Sequence, residues 1–360
     1  IFILIVFLTI LDKSLLRMLY GLENYILFPP YSVLSGIFLF LGITFLGNLL
    51  LKNLKNLKDI FGGKYFYLHS SLVGINSIFL VLYILIILNI FNLLILRVIG
   101  IFLISLGLYS IFKVNYFIKL KKIIKDIYIK KSYLGLTIII FIALYFLLSI
   151  YPLSHADALN YHSYAAINFI NFGRLPSSSF NEALVLSGMG ELLISLGLSL
   201  GSQHFSNIIQ FAGILSLFAI FFKNDNKDVT FRNFLFLGIL TSPVIIFFLT
   251  SSKPQFLLII NTLVVFAYLL EKKEKEKENT LTILILFTLV SINFLSKFSF
   301  ILSGSIIGVL IFYKFFNKIS FWKILISGAF VFLILILPYM INRFVNFDTN
   351  YFLQLTSHLP

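Results

Sequence analysis

From Tyr65 to Leu96 the chain reads YFYLHSSLVGINSIFLVLYILIILNIFNLLIL, without one Asp, Glu, Lys or Arg. A helix that crosses a membrane needs about 20 apolar residues to cover roughly 30 Å of hydrocarbon. The run is too long for one such helix and suits two, divided at Asn89–Asn92, where two asparagines interrupt it. The rest of the chain repeats the pattern. Of its 360 residues, 59% are hydrophobic and 12% charged, with a mean hydropathy of +1.01. Water-soluble domains carry about 25% charged residues. This composition excludes a soluble globular, a disordered or a fibrous protein. With no Cys, the chain has no disulfide, no thiolate nucleophile and no Cys-ligated metal.

Apolar runs with at most one charged residue lie near 30–51, 66–89, 91–112, 133–150, 205–222, 233–250, 255–270, 280–296, 299–315 and 322–341. The apolar residues Ile1–Leu11 are too few to span and read as the tail of an eleventh helix. The expected fold is therefore all-α, a polytopic transmembrane helical bundle of about 11 spans. With no initiator Met, the chain is expected to be a fragment. Residues 1–132 form an N-terminal set of spans of unassigned role, and 133–360 form a second region.

Lysine and arginine orient the bundle. The loops 52–65, 113–132, 223–232, 271–279 and 314–323 hold 21 of the 28 basic residues and fall on one side. Lys13, Arg17, Arg174, Lys253, Lys297 and Arg343 fall on the other, and Arg97 sits inside a span. Such a bias marks the first side as cytoplasmic. It also explains the net charge of +14 without nucleic acid, because the charge is spread over five short loops. The mixed-sign run Glu271–Glu278 reads as a solvated turn. Gly197/Gly201 and Gly304/Gly308 are small-residue pairs of the kind that allow close helix packing. Arg97 is expected to pack against a neighbouring helix carbonyl.

One outward loop is long. Residues 151–204 read YPLSHADALNYHSYAAINFINFGRLPSSSFNEALVLSGMGELLISLGLSLGSQH and hold the densest polar chemistry of the chain. Ser154 or Asp157 can cap a helix that runs to Phe172, where Gly173 and then Pro176 end it. Asp157, Tyr161 and Tyr164 share one face of that helix, and its apolar end suits an amphipathic helix on the membrane surface. A second apolar helix, near 190–200 and starting at Glu191, suits an interfacial or re-entrant segment. Of the six acids on this side, Asp157 alone has two histidines and a tyrosine close by in sequence. A plain helix cap explains Asp157 equally well, at a value of about 1 kcal/mol. His155, Asp157 and His162 also admit a divalent cation, although 157 and 162 do not share a helical face. Ser154 and Ser163 lack the G-x-S-x-G turn of a hydrolase nucleophile.

Asp157-Ala158-Leu159-Asn160-Tyr161-His162, then Gly173-Arg174-Leu175, then Gly190-Glu191-Leu192-Leu193 resembles the first large periplasmic loop of bacterial GT-C superfamily glycosyltransferases. These are multi-span enzymes related to protein mannosyltransferases and to Rgt-type lipopolysaccharide-core transferases. Thr241-Ser242-Pro243 through Ser252-Lys253-Pro254, Ser296-Lys297-Phe298-Ser299, and Pro338 through Asn342-Arg343 to Asn350-Tyr351 resemble later segments of that family. Gln255 stands where relatives often carry an acid, and Tyr351 follows Asn350 where they have Pro. The resemblance covers roughly 151–351. It implies a sugar donor on a polyprenyl phosphate at the outer leaflet of a bacterial plasma membrane. The acceptor would be a hydroxyl of a glycan, lipid or protein. It implies Asp157 as general base with inversion, and Lys253, Lys297 and Arg343 as cations for the departing lipid phosphate. His155, Tyr161, His162, Glu191 and Arg174 would contact sugar or acceptor, and Asn168 is a weaker candidate for the same role. A transporter or flippase of lipid-linked glycans is the chief alternative, followed by a polysaccharide polymerase or ligase and a noncatalytic scaffold. Transporters carry polar groups and broken helices at mid-membrane, often in repeated halves. The chain has no clear internal repeat.

Overall fold

A computed structural model of the chain describes residues 31–113, 121, 133–151, 158–175, 188–223, 229–271, 279–316 and 319–346. The described residues are helical, without strands. In chain order they form α1 (Tyr31–Asn53), α2 (Lys55–Ile60), α3 (Ser70–Ile87), α4 (Leu93–Lys113) and α5 (Tyr133–Ser149). A π-helical turn (Ala158–Ser163) leads into α6 (Tyr164–Phe172), and α7 (Leu192–Ser199) follows. Next come α8 (Phe205–Phe221), α9 (Val229–Leu240), α10 (Pro243–Thr250), α11 (Gln255–Leu270) and α12 (Thr280–Ser296). The last are α13 (Ile301–Phe316), α14 (Phe321–Val331), a π segment Phe332–Ile336, and α15 (Leu337–Asn346).

Among the described residues each of these apolar runs lies on a helix, and the helix ends follow local chemistry. The division at Asn89–Asn92 is real. Asn89 takes a left-handed conformation (φ 56°). Its N–H donates to Ile86 O (3.1 Å) and that of Ile90 to Leu85 O (3.0 Å), closing α3 in a Schellman motif. Asn92 Oδ1 accepts from Ile95 N (3.0 Å) and caps α4. The run 233–250 is not one straight helix. After Thr241–Ser242, Pro243 starts α10 at an angle of 53° to α9, since Pro lacks the N–H that would continue the ladder.

Among the described residues, four helical segments are long and apolar enough to cross a membrane, namely 31–53, 66–87, 93–113 and 321–342; the bent pair α9–α10 makes five. The other apolar helices, α5, α8, α11, α12 and α13, have 16 or 17 residues and fall short of the usual length. Their surfaces match a lipid solvent. On α4, Leu94, Val98, Ile101 and Phe102 are exposed, as are Leu302, Ile306, Val309 and Tyr313 on α13 and Trp322, Ile326 and Phe330 on α14. Faces this apolar do not stay in water. The protein is thus an all-helical membrane protein.

Inside, α8 is the central post. It is buried on all sides except at Leu215, Ile220 and Phe221, and packs against α1, α3, α5, α7, α10 and α11. Its polar residues Ser206, Asn207, Gln210 and Ser216 are buried with it, inside the bundle and away from lipid. Around it, α1, α3 and α4 touch backbone to backbone through glycine. Gly42 lies against the Leu103 carbonyl, Gly107 against Phe38, Gly47 against Ser70 and Gly74 against Ile43. Without a hydrophobic drive between helices in lipid, small residues that admit close van der Waals contact hold them together. Of the two pairs visible in the sequence, Gly197 packs closely, with Phe205 2.7 Å from where its Cβ would stand, whereas nothing lies within 4 Å of a Gly308 Cβ. Between the halves of the bundle, Asn76 and Asn261 exchange hydrogen bonds (2.8 and 3.0 Å). Asn261 also donates to Asn293 Oδ1 (3.2 Å), tying α3, α11 and α12. Arg97 Nε donates to Ser199 O (3.1 Å), the carbonyl role expected of it.

The basic loops meet at one end. Lys223 pairs with Glu271, Lys314 Nζ donates to Leu269 O (2.7 Å) and Glu271 O (2.6 Å), and Lys64 N donates to Lys223 O (3.1 Å). Asn56 Nδ2 reaches Thr282 Oγ1 (2.8 Å). The opposite end is roofed by residues 158–175 and 188–204.

Candidate functional site

The roof does not lie on a lipid surface. In α6, Ala165 to Ile170 are buried, and all eight residues of α7 are buried. The surface-lying α6 expected from its sequence is thus corrected: its apolar face is covered by α7, and Asn171 and Phe172 at its end remain exposed. The α7 helix enters the bundle among α3, α4 and α8, as a re-entrant segment would.

Two candidate residues from distant parts of this loop meet. His162 Nδ1 lies 2.7 Å from Glu191 Oε1, with 3% and 1% of the two residues exposed. Glu191 stands at the start of α7, yet its side chain makes no cap bond and turns to the histidine instead. Its second oxygen, Oε2, is buried with no hydrogen-bond partner. A buried carboxylate without full hydrogen bonding costs free energy, so such a group marks a place where a ligand or function compensates. His162 itself sits on the π turn, where Ser163 Oγ donates back to Ala158 O (2.7 Å). Extra backbone turns of this kind recur at functional sites because they re-aim a side chain. The ring of half-buried Tyr161 meets the His162 ring edge-on at 4.6 Å.

Three loop segments converge on the same place. Met189 N donates to Leu295 O (2.8 Å), and Gly188 lies against the Ser296 carbonyl with no room for a side chain. A Cβ on Gly190 would stand 2.6 Å from Pro254 Cβ. The Gly-Glu-Leu, Ser-Lys-Pro and Ser-Lys-Phe segments are therefore neighbours, with Lys253 and Lys297 on two of them. Lys253 stacks over the Phe247 ring (4.7 Å), and half-buried Lys297 ends α12. Just before Lys253, Ser252 holds a left-handed backbone (φ 55°), uncommon for a residue with a side chain. Its Oγ donates to Asn207 Oδ1 (2.7 Å) and meets Ser206 Oγ (3.0 Å), while Asn207 Nδ2 donates to Tyr151 O (3.1 Å). This buried network compensates the strain and aims the Ser-Lys-Pro turn.

The remaining candidates are placed as follows. Asp157 and His155 lie outside the described residues. Arg343 is on α15, its side chain outside them. Arg174 is exposed on the turn after α6, away from the buried pair. Asn168 spends its amide on Tyr164 O (2.9 Å) within its own helix. Among the described residues no three of His, Cys, Asp or Glu come together to hold a metal ion. His162 and Glu191 supply two donors. The sequence reading missed the Asn207–Ser252–Ser206 network and the Asn76–Asn261–Asn293 cluster. Asparagines inside apolar runs were the available signal, since an amide in lipid must find a partner.

No curated protein and no solved structure matches the chain. Residues 108–360 match the model of the DUF1420 N-terminal domain, more than half of the chain. The protein accordingly belongs to the DUF1420 family.

Proposed function

We propose that this protein is an integral membrane glycosyltransferase of GT-C type that moves a sugar from a polyprenyl phosphate to an acceptor hydroxyl. The observation that carries the reading is the convergence of His162 and Glu191 with the Ser252-Lys253-Pro254 and Ser296-Lys297 turns at one end of the bundle. The reading places about eleven spans in a bacterial plasma membrane, counting the helices of 16 and 17 residues and the segment at the start. The basic loops face the cytoplasm and the segment 151–204 the periplasm.

In the proposed reaction the acceptor hydroxyl gives its proton to the Asp157 carboxylate as its oxygen attacks the anomeric carbon. The bond from that carbon to the phosphate oxygen breaks, and its electron pair leaves with the polyprenyl phosphate. Configuration inverts. Positioned proton transfer of this kind contributes about 10²–10⁴-fold. Lys253, Lys297 and Arg343 stabilise the departing phosphate. Glu191 holds His162 through Nδ1, which leaves Nε2 to orient sugar or base, and His155 and Tyr161 complete the sugar contacts.

The test uses native membranes holding the whole protein and a panel of radiolabelled polyprenyl-phosphate sugars. Label should pass to endogenous acceptors with wild type and be lost with Asp157→Asn at equal abundance. Equal transfer by both would remove Asp157 from the chemistry. The transporter reading draws on the bent α9–α10 pair and the mid-bundle asparagines. Those amides satisfy one another, however, and leave little to offer a passing ligand.

A further inference from the structure

We infer that a groove between α3, α15 and the turn after α6 binds the phosphate headgroup of a membrane lipid, with Arg174 as its anion ligand. The turn is built to put Arg174 there. Gly173 closes α6 in the left-handed conformation (φ 64°), and a Cβ on it would stand 2.5 Å from Phe91 O. The backbone of this turn thus rests on the α3–α4 connection, and Arg174 is carried to the side of Asn89. The groove encloses about 560 Å³ and is lined by Arg174, Asn89 and Asn342 together with Ile86, Leu337 and Ile341. That volume lies within the range of about 300–1,000 Å³ usual for ligand sites.

The lining selects the occupant. Among the described residues no acidic side chain lines the groove, so the Arg174 guanidinium sets a positive potential there that favours an anionic ligand over a cationic one. Among the described residues no aromatic ring lines it either, which disfavours a stacked sugar. Two carboxamides and a guanidinium at one end supply donors in the planar geometry that phosphate oxygens accept. The aliphatic wall is wasted on a free anion, but it continues into the exposed apolar surface of Leu88 and Ile341 and suits hydrocarbon. An amphiphile with an anionic phosphate head meets both halves. This assigns Arg174 to a lipid phosphate in place of the acceptor contact that its motif implies. It does not depend on sugar transfer.

The test is a binding measurement on the full chain in neutral detergent, by native mass spectrometry, with dodecyl phosphate as probe and dodecyl maltoside as its neutral counterpart. Wild type should retain dodecyl phosphate in preference to the maltoside. Arg174→Gln should bind it about tenfold more weakly, the loss expected for one charge-assisted contact. Ile341→Trp fills the groove at an exposed position and should weaken binding while Arg174 remains. Wild-type affinity in either variant overturns the site. Displacement by inorganic phosphate at equal concentration overturns the lipid as its occupant.

Discussion

At Glu191 two facts conflict with ordinary solvation: the residue is 1% exposed, and one oxygen has only protein around it without a donor. Its partner His162 is what makes the burial tolerable. Removing one member of a buried hydrogen-bonded pair leaves the other polar group unsatisfied and costs about 1–3 kcal/mol, whereas replacing both with apolar groups is often close to neutral. His162→Ala should therefore lower the unfolding temperature in detergent sharply, and His162→Leu combined with Glu191→Met should recover most of the loss. A double variant no more stable than the single one would show that the two groups are not coupled. The sequence marks both residues as candidates, but 29 positions separate them and nothing in the spacing pairs them. Proximity came from the backbone, because α6 and α7 pack side by side. Asp157 illustrates the opposite case, a residue picked out by its motif and lying outside the described part of the chain.

Helices differ in how their glycines are used. Both Gly308 and Gly42 sit in apolar helices, and only the first belongs to a pair singled out from spacing. The packing reverses that emphasis. Gly42→Leu would drive a side chain into the Leu103 carbonyl, which cannot rotate away, so α1 and α4 must part. It should abolish a monodisperse peak in size-exclusion chromatography, or lower thermal stability by several degrees. Gly308→Leu faces open space and should leave both unchanged, with a slight gain from helix propensity. Comparable damage from the two substitutions would mean that α13 packs more tightly than described. At this scale the sequence located the long apolar helices among the described residues by their scarcity of charge, to within a few residues. It erred where a helix is broken, at α9–α10, because a charge-free run looks the same whether straight or bent by 53°.

Across the whole molecule, four basic loops gather at one end through the Lys223–Glu271 pair, the Lys314 contacts and the Asn56–Thr282 bond. Arg174, Lys253 and Lys297 lie toward the other. The natural absence of Cys makes this polarity directly measurable. Single cysteines at Lys58 and Lys323 should react with an impermeant maleimide from the cytoplasmic side only. Those at Asn89 and Asn171 should react from the opposite side only. Labelling of Lys58→Cys and Asn89→Cys from the same side would overturn the orientation and, with it, the periplasmic placement of the proposed site. Among the described residues of the N-terminal part, α3 and α4 pack on α7 and so help seat Glu191.

Composition and charge pattern alone determined that this chain is helical, lives in lipid and is polarised, since those properties are sums over many residues and tolerate local error. They also nominated one loop as the place where chemistry collects. Tertiary structure decided which polar groups meet, within that loop and beyond it: His162 with Glu191, Ser252 with Asn207, Arg174 with an aliphatic groove. The physical reason is range. Hydrophobic burial acts through totals that a sequence displays. A hydrogen bond or ion pair acts over about 3 Å between residues the chain may hold far apart, and only the packed backbone brings them within reach.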